Sequence, residues 1–314
     1  MSGKKNKHRI SSKKVKEQTS GKSRTVAIII GIFIILALVY FLIPQGSQEW
    51  KVDKDGVLSY PENRGKVDVK ILKTESGSNY SLETISFQSK DYTVEGLLRI
   101  PLSEKKVPAI VILPGATISK EGTERLADIF SDMGYASLGI EQRNRGGVDF
   151  AYDFELFKAG KEPVEHKMVF DALRAVDVLR QYPGIDPERI AVVGESNGGR
   201  FAIIAAALDP SISGVIGIST SGYDTESEIA NIRDETAIRF YRSIDPDTYL
   251  RFIPPRKFVM MHSVNDNIIP IDLAENTFKK AKEPKQFYKV TTGTHGYSEG
   301  MLDPLGNELK LMFQ

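Results

Sequence analysis

Six short apolar runs rich in Val and Ile recur between Pro108 and Gly293: PAIVILPG, YASLGIE, IAVVGES, SGVIGISTS, FVMMHSV and FYKVTTG. Helical stretches separate them, near Gly122–Met133, near Val164–Gln181, over Asn197–Leu208 and near Ile271–Lys282. Runs this short and continuous lack the polar face of a half-solvated strand, so each predicts a strand covered on both sides. A helix between consecutive strands makes them parallel. Before them, LETISFQS and TVEGLLRIP flank Lys90-Asp91 and predict an antiparallel pair. The expected class is therefore α/β, a mostly parallel central sheet with helices on both faces, occupying residues 82–314. An apolar content of 41% over 314 residues is enough for one such core.

The N-terminal end follows other rules. Residues 1–24 hold nine Lys/Arg against Glu17 alone, a net +8, which leaves the rest of the chain at −7. Thr25–Ile43 then reads TVAIIIGIFIILALVYFLI, 19 residues with no charge, Pro or amide. As a helix it would be about 28 Å long, close to the hydrocarbon thickness of a bilayer. It is apolar all round and so has no amphipathic face with which to dock on a core. The expectation is a transmembrane anchor at 25–43, uncleaved because no A-x-A-like site follows it. The basic flank places a tail, 1–24, in the cytoplasm, with the body outside the cell membrane. Residues 44–81, punctuated by Gly56, Pro61, Gly65 and Gly77, read as a stalk or N-terminal extension.

Cysteine is absent, which excludes disulfide frameworks, thiolate nucleophiles and Cys-ligated metals. Four histidines leave little for a His-rich metal site, so no metal or cofactor is expected. An acidic body argues against nucleic acid as a partner.

The chemistry gathers at Gly194-Glu195-Ser196-Asn197-Gly198, a G-x-S-x-G string between the apolar run Ile190–Val193 and the helical stretch from Asn197. A serine at a tight strand-to-helix turn needs glycines beside it so that neighbouring backbone can approach, and its hydroxyl is left exposed above the sheet. A hydroxyl is a weak nucleophile at neutral pH and requires a base. His8 lies in the tail and His166 on the helix before the serine strand, whereas His295 follows the last strand run. His262 ends FVMMH directly before the candidate acid and reads as a structural residue at a strand end. In the order Ser, acid, His, the base is His295 and the acid is Asp266, 70 residues after Ser196 and 29 before His295. Asp224 is the alternative acid. Oxyanion donors are expected from the backbone N–H groups of Asn197 and, in the loop Pro114-Gly115-Ala116-Thr117, of Ala116.

From Leu82 to about Met301 the chain resembles the α/β-hydrolase superfamily, and within it the dienelactone hydrolase and prolyl oligopeptidase catalytic-domain branch. The resemblance rests on the segments 184–199, His262–Pro270 and Gly293–His295–Gly296. It implies Ser196 as nucleophile, Asp266 as acid and His295 as base. The chain departs from that pattern in having Pro114-Gly115 where relatives carry His-Gly, and the propeller-gated peptide cleavage of the large oligopeptidases is not expected.

The expected function is a membrane-anchored, extracytoplasmic serine hydrolase that cleaves a carboxylic ester or amide through an acyl-enzyme. Esterase stands ahead of peptidase because nothing reads as a clamp for a peptide terminus. The alternatives are a serine peptidase of the aminopeptidase or acylaminoacyl peptidase kind, and a non-catalytic binding module on the same fold. Expected partners are a small ester, amide or short peptide and, through residues 25–43, membrane lipid. Two features stay open at this level. The amphipathic stretch Thr225–Ile244 is a lid or a covering helix, and Glu141, Arg143 and Arg145 bind a charged substrate group or form an ion-pair cluster.

Overall fold

The computed structural model describes residues 49–314. Its first pairing is a small antiparallel ribbon, β1 (Lys51–Val52) with β2 (Leu58–Ser59). Nine strands then build one sheet: β3 (Val69–Ser76), β4 (Tyr80–Ser89), β5 (Tyr92–Pro101), β6 (Val107–Leu113), β7 (Ala136–Ile140), β8 (Ile185–Glu195), β9 (Gly214–Ile218), β10 (Lys257–Ser263) and β11 (Lys285–Val290). Their spatial order is β11-β10-β9-β8-β6-β7-β5-β4-β3. Strands β6 to β11 run parallel, and β5, β4 and β3 follow one another antiparallel at one side. Every residue of β6, β7 and β9 is buried, as their unbroken apolar runs require.

Helices cover both faces. The helices longer than one turn are, in chain order, α1 (Glu124–Asp132), α2 (Phe150–Lys158), α3 (Val164–Gln181), α4 (Asn197–Leu208), α5 (Glu235–Ile244), α6 (Ile271–Lys280) and α7 (Leu302–Met312). Two apolar cores result. One holds α3 and α4, with Leu173, Val176, Phe201 and Ile204. The other lies with α1 and α7 against Ile110, Ile112, Val193 and Ile216. Side chains of β6 thus alternate between the two cores, Val111 and Leu113 to the first and Ile110 and Ile112 to the second.

The antiparallel pair around Lys90-Asp91 is present, with Phe87 opposite Val94. Trp50–Gln314 form a single compact unit, in which residues 50–81, read from the sequence as a stalk or N-terminal extension, pack on the body. Val52, Leu58 and Val67 are buried in the first core. The Arg64 guanidinium reaches Asp177 at 2.8 Å and Asp209 at 2.6 Å, tying the segment to α3 and the end of α4. Strand β3 was hidden in the sequence because it is an edge strand. Val69 is half-buried and the other seven residues are exposed, so no apolar alternation marks it.

Among the described residues no helix is long and apolar enough to cross a membrane. The expected anchor at 25–43 and the basic tail at 1–24 lie outside the described residues.

Candidate active site

Strand β8 sits near the middle of the sheet, between β6 and β9, and ends at Glu195. The chain turns at Ser196, with φ 52° and ψ −121°, and enters α4 at Asn197. A non-glycine residue there stores about 1–3 kcal/mol of strain and persists only if its surroundings over-determine it. They do so here. Ser196 N–H donates to the Ile218 carbonyl at 2.9 Å, and the Ser196 carbonyl accepts from Gly199 N–H at 3.0 Å and Thr220 Oγ1 at 2.7 Å. The flanking glycines are required by contact. A Cβ on Gly194 would overlap the Gly198 carbonyl, and one on Gly198 would overlap the carbonyl oxygens of Leu113 and Pro114.

Asp266 follows β10 and His295 follows β11, each in the loop after its strand. The two meet with His295 Nδ1 2.9 Å from Asp266 Oδ2 and 3.1 Å from Oδ1. The Asp266 side chain is fully buried while His295 is partly exposed. Burial alone would raise the Asp266 carboxyl. The N–H of Ile269, His295 and the N–H of Ile268 outweigh burial and hold it below the usual carboxylate range. Asp266 is thus an anion that accepts from His295 Nδ1–H and leaves Nε2 free to act as a base. Ser196 and His295 line one cleft of about 560 Å³ together with Gly115 and Ala116 of the loop after β6. Every predicted site residue stands just beyond the C-terminal end of a parallel strand, where open α/β sheets place their ligand crevices. Asn197 begins α4, where backbone N–H groups have no earlier turn to bond and the helix presents its positive end.

The other candidates fall elsewhere. Asp224 forms an exposed ion pair with Lys280 at 2.5 Å, and Asp266 occupies the place beside His295. His262 is buried behind Asp266, with Nε2 2.7 Å from the Ile269 carbonyl and 3.3 Å from Asp266 Oδ2. Burial pushes its imidazole down, so it stays neutral and structural. His166, also fully buried, is pushed down to about 3 and packs with Nε2 2.8 Å from Ser243 Oγ.

Arg143, Glu141 and α5 make structural contacts, while Arg145 is exposed and lies outside the ion-pair cluster. Arg143 is buried, with Nε 2.6 Å and Nη2 2.9 Å from Asp171 and Nη1 2.8 Å from Asp91, a cluster that braces β4, β5 and α3. Glu141 accepts the Lys120 N–H at 2.8 Å. Helix α5 buries Phe240 and Ile244 in the first core and ties Arg239 to the carbonyls of Val52 and Asp53. It is a covering helix. The preceding turns, with Ile229 and Ile232, line a second, smaller pocket of about 320 Å³ together with Phe150, Tyr223 and Tyr241.

Sequence reasoning missed the cleft walls. Ile118 and Leu126 from one side and Ile268 and Tyr297 from the other make it largely apolar, with Arg125 and Glu195 as its charged members. None carries a motif, and their convergence depends on the fold. Among the described residues no group of three or more His, Cys, Asp or Glu is placed to hold a metal ion.

A parallel sheet, a strained serine at a strand-to-helix elbow and a buried Asp-His pair define the α/β-hydrolase class of serine hydrolases. The family model for acetyl xylan esterase (AXE1) matches residues 66–253, more than half of the chain, and the chain belongs to that family. It is 27% identical over 150 residues to the uncharacterised protein YfhR of Escherichia coli O157:H7, covering 46% of this chain and 52% of that one. It is 23% identical over 203 residues to the acetyl esterase Axe7A of Xylanibacter ruminicola, covering 60% of this chain and 45% of that one. The chain spans about half the length of these curated relatives. The solved acetyl xylan esterase from Paenibacillus sp. R4 shares the fold at a TM-score of 0.66 and 17% identity, covering 78% of this chain and 88% of its own.

Proposed function

We propose that this protein is a serine esterase that releases a small acyl group, acetyl foremost, from the hydroxyl of a carbohydrate or similar alcohol. The observation that carries the reading is the Asp266–His295 pair facing the cleft that also holds the strained Ser196. Ser196 Oγ attacks the acyl carbon while His295 Nε2 takes its proton, and Asp266 steadies the imidazolium. The tetrahedral oxyanion accepts from the N–H groups of Asn197 and Ala116, each such donor being worth about 3–4 kcal/mol of barrier. His295 returns the proton to the departing alkoxide, leaving an acyl-Ser196. Water, deprotonated by the same nitrogen, then attacks the acyl carbon, and the carboxylic acid leaves as Ser196 recovers its proton. The family supports an ester as substrate, and the modest apolar cleft suits a small acyl group.

Fluorophosphonate labelling with intact-mass analysis, followed by a panel of acetylated sugars, longer chromogenic esters and aminoacyl anilides, tests the reading. One adduct on Ser196 and turnover of acetyl esters above the anilides is expected. Anilides as the better substrates would make it a peptidase, and absence of labelling would leave a binding module.

The reading also puts the enzyme on the outer face of a membrane, held by residues 25–43. This part rests on the sequence alone. Protease added to intact cells should degrade the body and spare residues 1–24, and a protected body would overturn it.

A further inference from the structure

Three strand ends hold the loop that carries His295. From β10, Ser263 Oγ donates to the Gly293 carbonyl at 3.0 Å, and Asp266 binds the ring itself. Just past β9, Ser219 Oγ makes a long contact of 3.5 Å to the Gly296 carbonyl. From β8, Glu195 Oε1 accepts the N–H of Tyr297 at 2.6 Å. The last is a charged brace, as Asp266 is, and it comes from the residue directly before the nucleophile; Arg125 lies over the Tyr297 ring, 5.1 Å from its centroid. Its carboxylate lies so close to the loop that a Cβ on Gly296, whose φ is +84°, would stand 3.3 Å from Oε1. Glu195 also lines the catalytic cleft.

We propose that Glu195 is a positioning residue: it sets His295 against Ser196 by gripping the loop two residues beyond the base, and its charge favours the imidazolium formed during attack. The inference rests on the Ser196–His295–Asp266 reading above. One hydrogen bond joins the nucleophile elbow to the base loop across 102 positions of chain, so any drift of the loop is referred directly to the elbow. A hydrogen bond to a carboxylate is short and about twice as strong as a neutral one. The charged groups around it are few. Glu195 faces His295 and, at the cleft rim, Arg125, which is itself paired with Glu299. His295 faces Glu195 on one side and Asp266 on the other, with neutral His262 behind Asp266. Burial raises the Glu195 carboxyl above the ordinary range, and the Tyr297 N–H, His295 and Arg125 offset only part of that rise.

The test compares Glu195→Gln and Glu195→Ala in the full chain, with kcat and KM for p-nitrophenyl acetate measured from pH 5 to 9. Glutamine keeps an acceptor for Tyr297 but drops the charge. Its acid limb of kcat/KM should move to lower pH by about half a unit or more, since a neighbouring anion no longer favours the protonated base. Alanine loses the grip as well, so kcat should fall at least about tenfold with KM changed less than about threefold, and glutamine should recover most of that loss. An unmoved acid limb in Glu195→Gln, or an alanine variant within about twofold of the parent in kcat, overturns the proposal. Should alanine fail to fold, the glutamine limb alone decides. Fluorophosphonate separates the two levels. Labelling that survives Ser196→Ala removes the triad reading and Glu195's role with it, whereas labelling confined to Ser196 with an unmoved limb removes Glu195's role only.

Discussion

Asp266 and His295, 29 residues apart, meet with both carboxylate oxygens within 3.1 Å of the imidazole Nδ1. Holding Nδ1 as the donor fixes the tautomer that leaves Nε2 unprotonated. Asp266→Asn substitutes an amide that can favour the other tautomer. The same exchange in the Ser-His-Asp triad of serine proteases lowers turnover about 10⁴-fold, and a loss approaching that size is expected here. Asp224→Asn, which loses the Lys280 ion pair away from His295, should change turnover less than about tenfold. Steady-state kinetics of the two variants on one ester check the ranking.

The strain at Ser196 gives a second expectation. Glycine tolerates φ 52° without cost, so Ser196→Gly should abolish turnover and yet raise stability, by about 1 kcal/mol after allowing for the added freedom of the unfolded chain. Ser196→Ala should be equally inactive without that gain. Denaturant unfolding of the three proteins measures the difference.

Arg143 separates structural from substrate-binding roles. Its removal leaves Asp171 buried without its cation, and losing one partner of a buried pair costs about 3–5 kcal/mol. Arg143→Ala should therefore melt well below the parent, while the KM of the fraction that remains folded stays within about threefold. A large rise in KM with unchanged stability would return Arg143 to the substrate.

Glu165 should make the fold sensitive to alkali. Burial, with Asp153 nearby and only Arg200 opposing, pushes its carboxyl up to about 8 from an ordinary 4.5. The unfolded chain releases that proton near 4.5, but the folded chain keeps it to about 8, so this group costs stability progressively as pH rises across that window. Glu165→Gln should raise the melting temperature more at pH 8.5 than at pH 5. At about 2–4 °C per kcal/mol for a domain of this size, the difference is readable by thermal denaturation. Equal shifts at both pH values would mean the carboxyl is ionised throughout.

Much of this architecture was legible along the chain because it is written locally. The helices at Val164–Gln181 and Asn197–Leu208 have the expected bounds, since their flanks carry Pro163 and the strained Ser196. The buried strands stand out because two-sided burial demands uninterrupted apolar residues. The order Ser196, Asp266, His295 was readable because each sits where an apolar run ends. The sequence by itself thus determined the fold class, the elbow with Ser196 and the late loop with His295. Only the tertiary structure decided that residues 50–81 belong to the body, since an edge strand with seven exposed residues has no periodicity to read. It likewise decided between Asp266 and Asp224, and between the structural and substrate-binding roles of Arg143. It alone brought Glu195 against Tyr297. Each of these turns on contacts between residues distant in the chain, and hydrophobic patterning, which records only whether a position is buried, does not say what it is buried against.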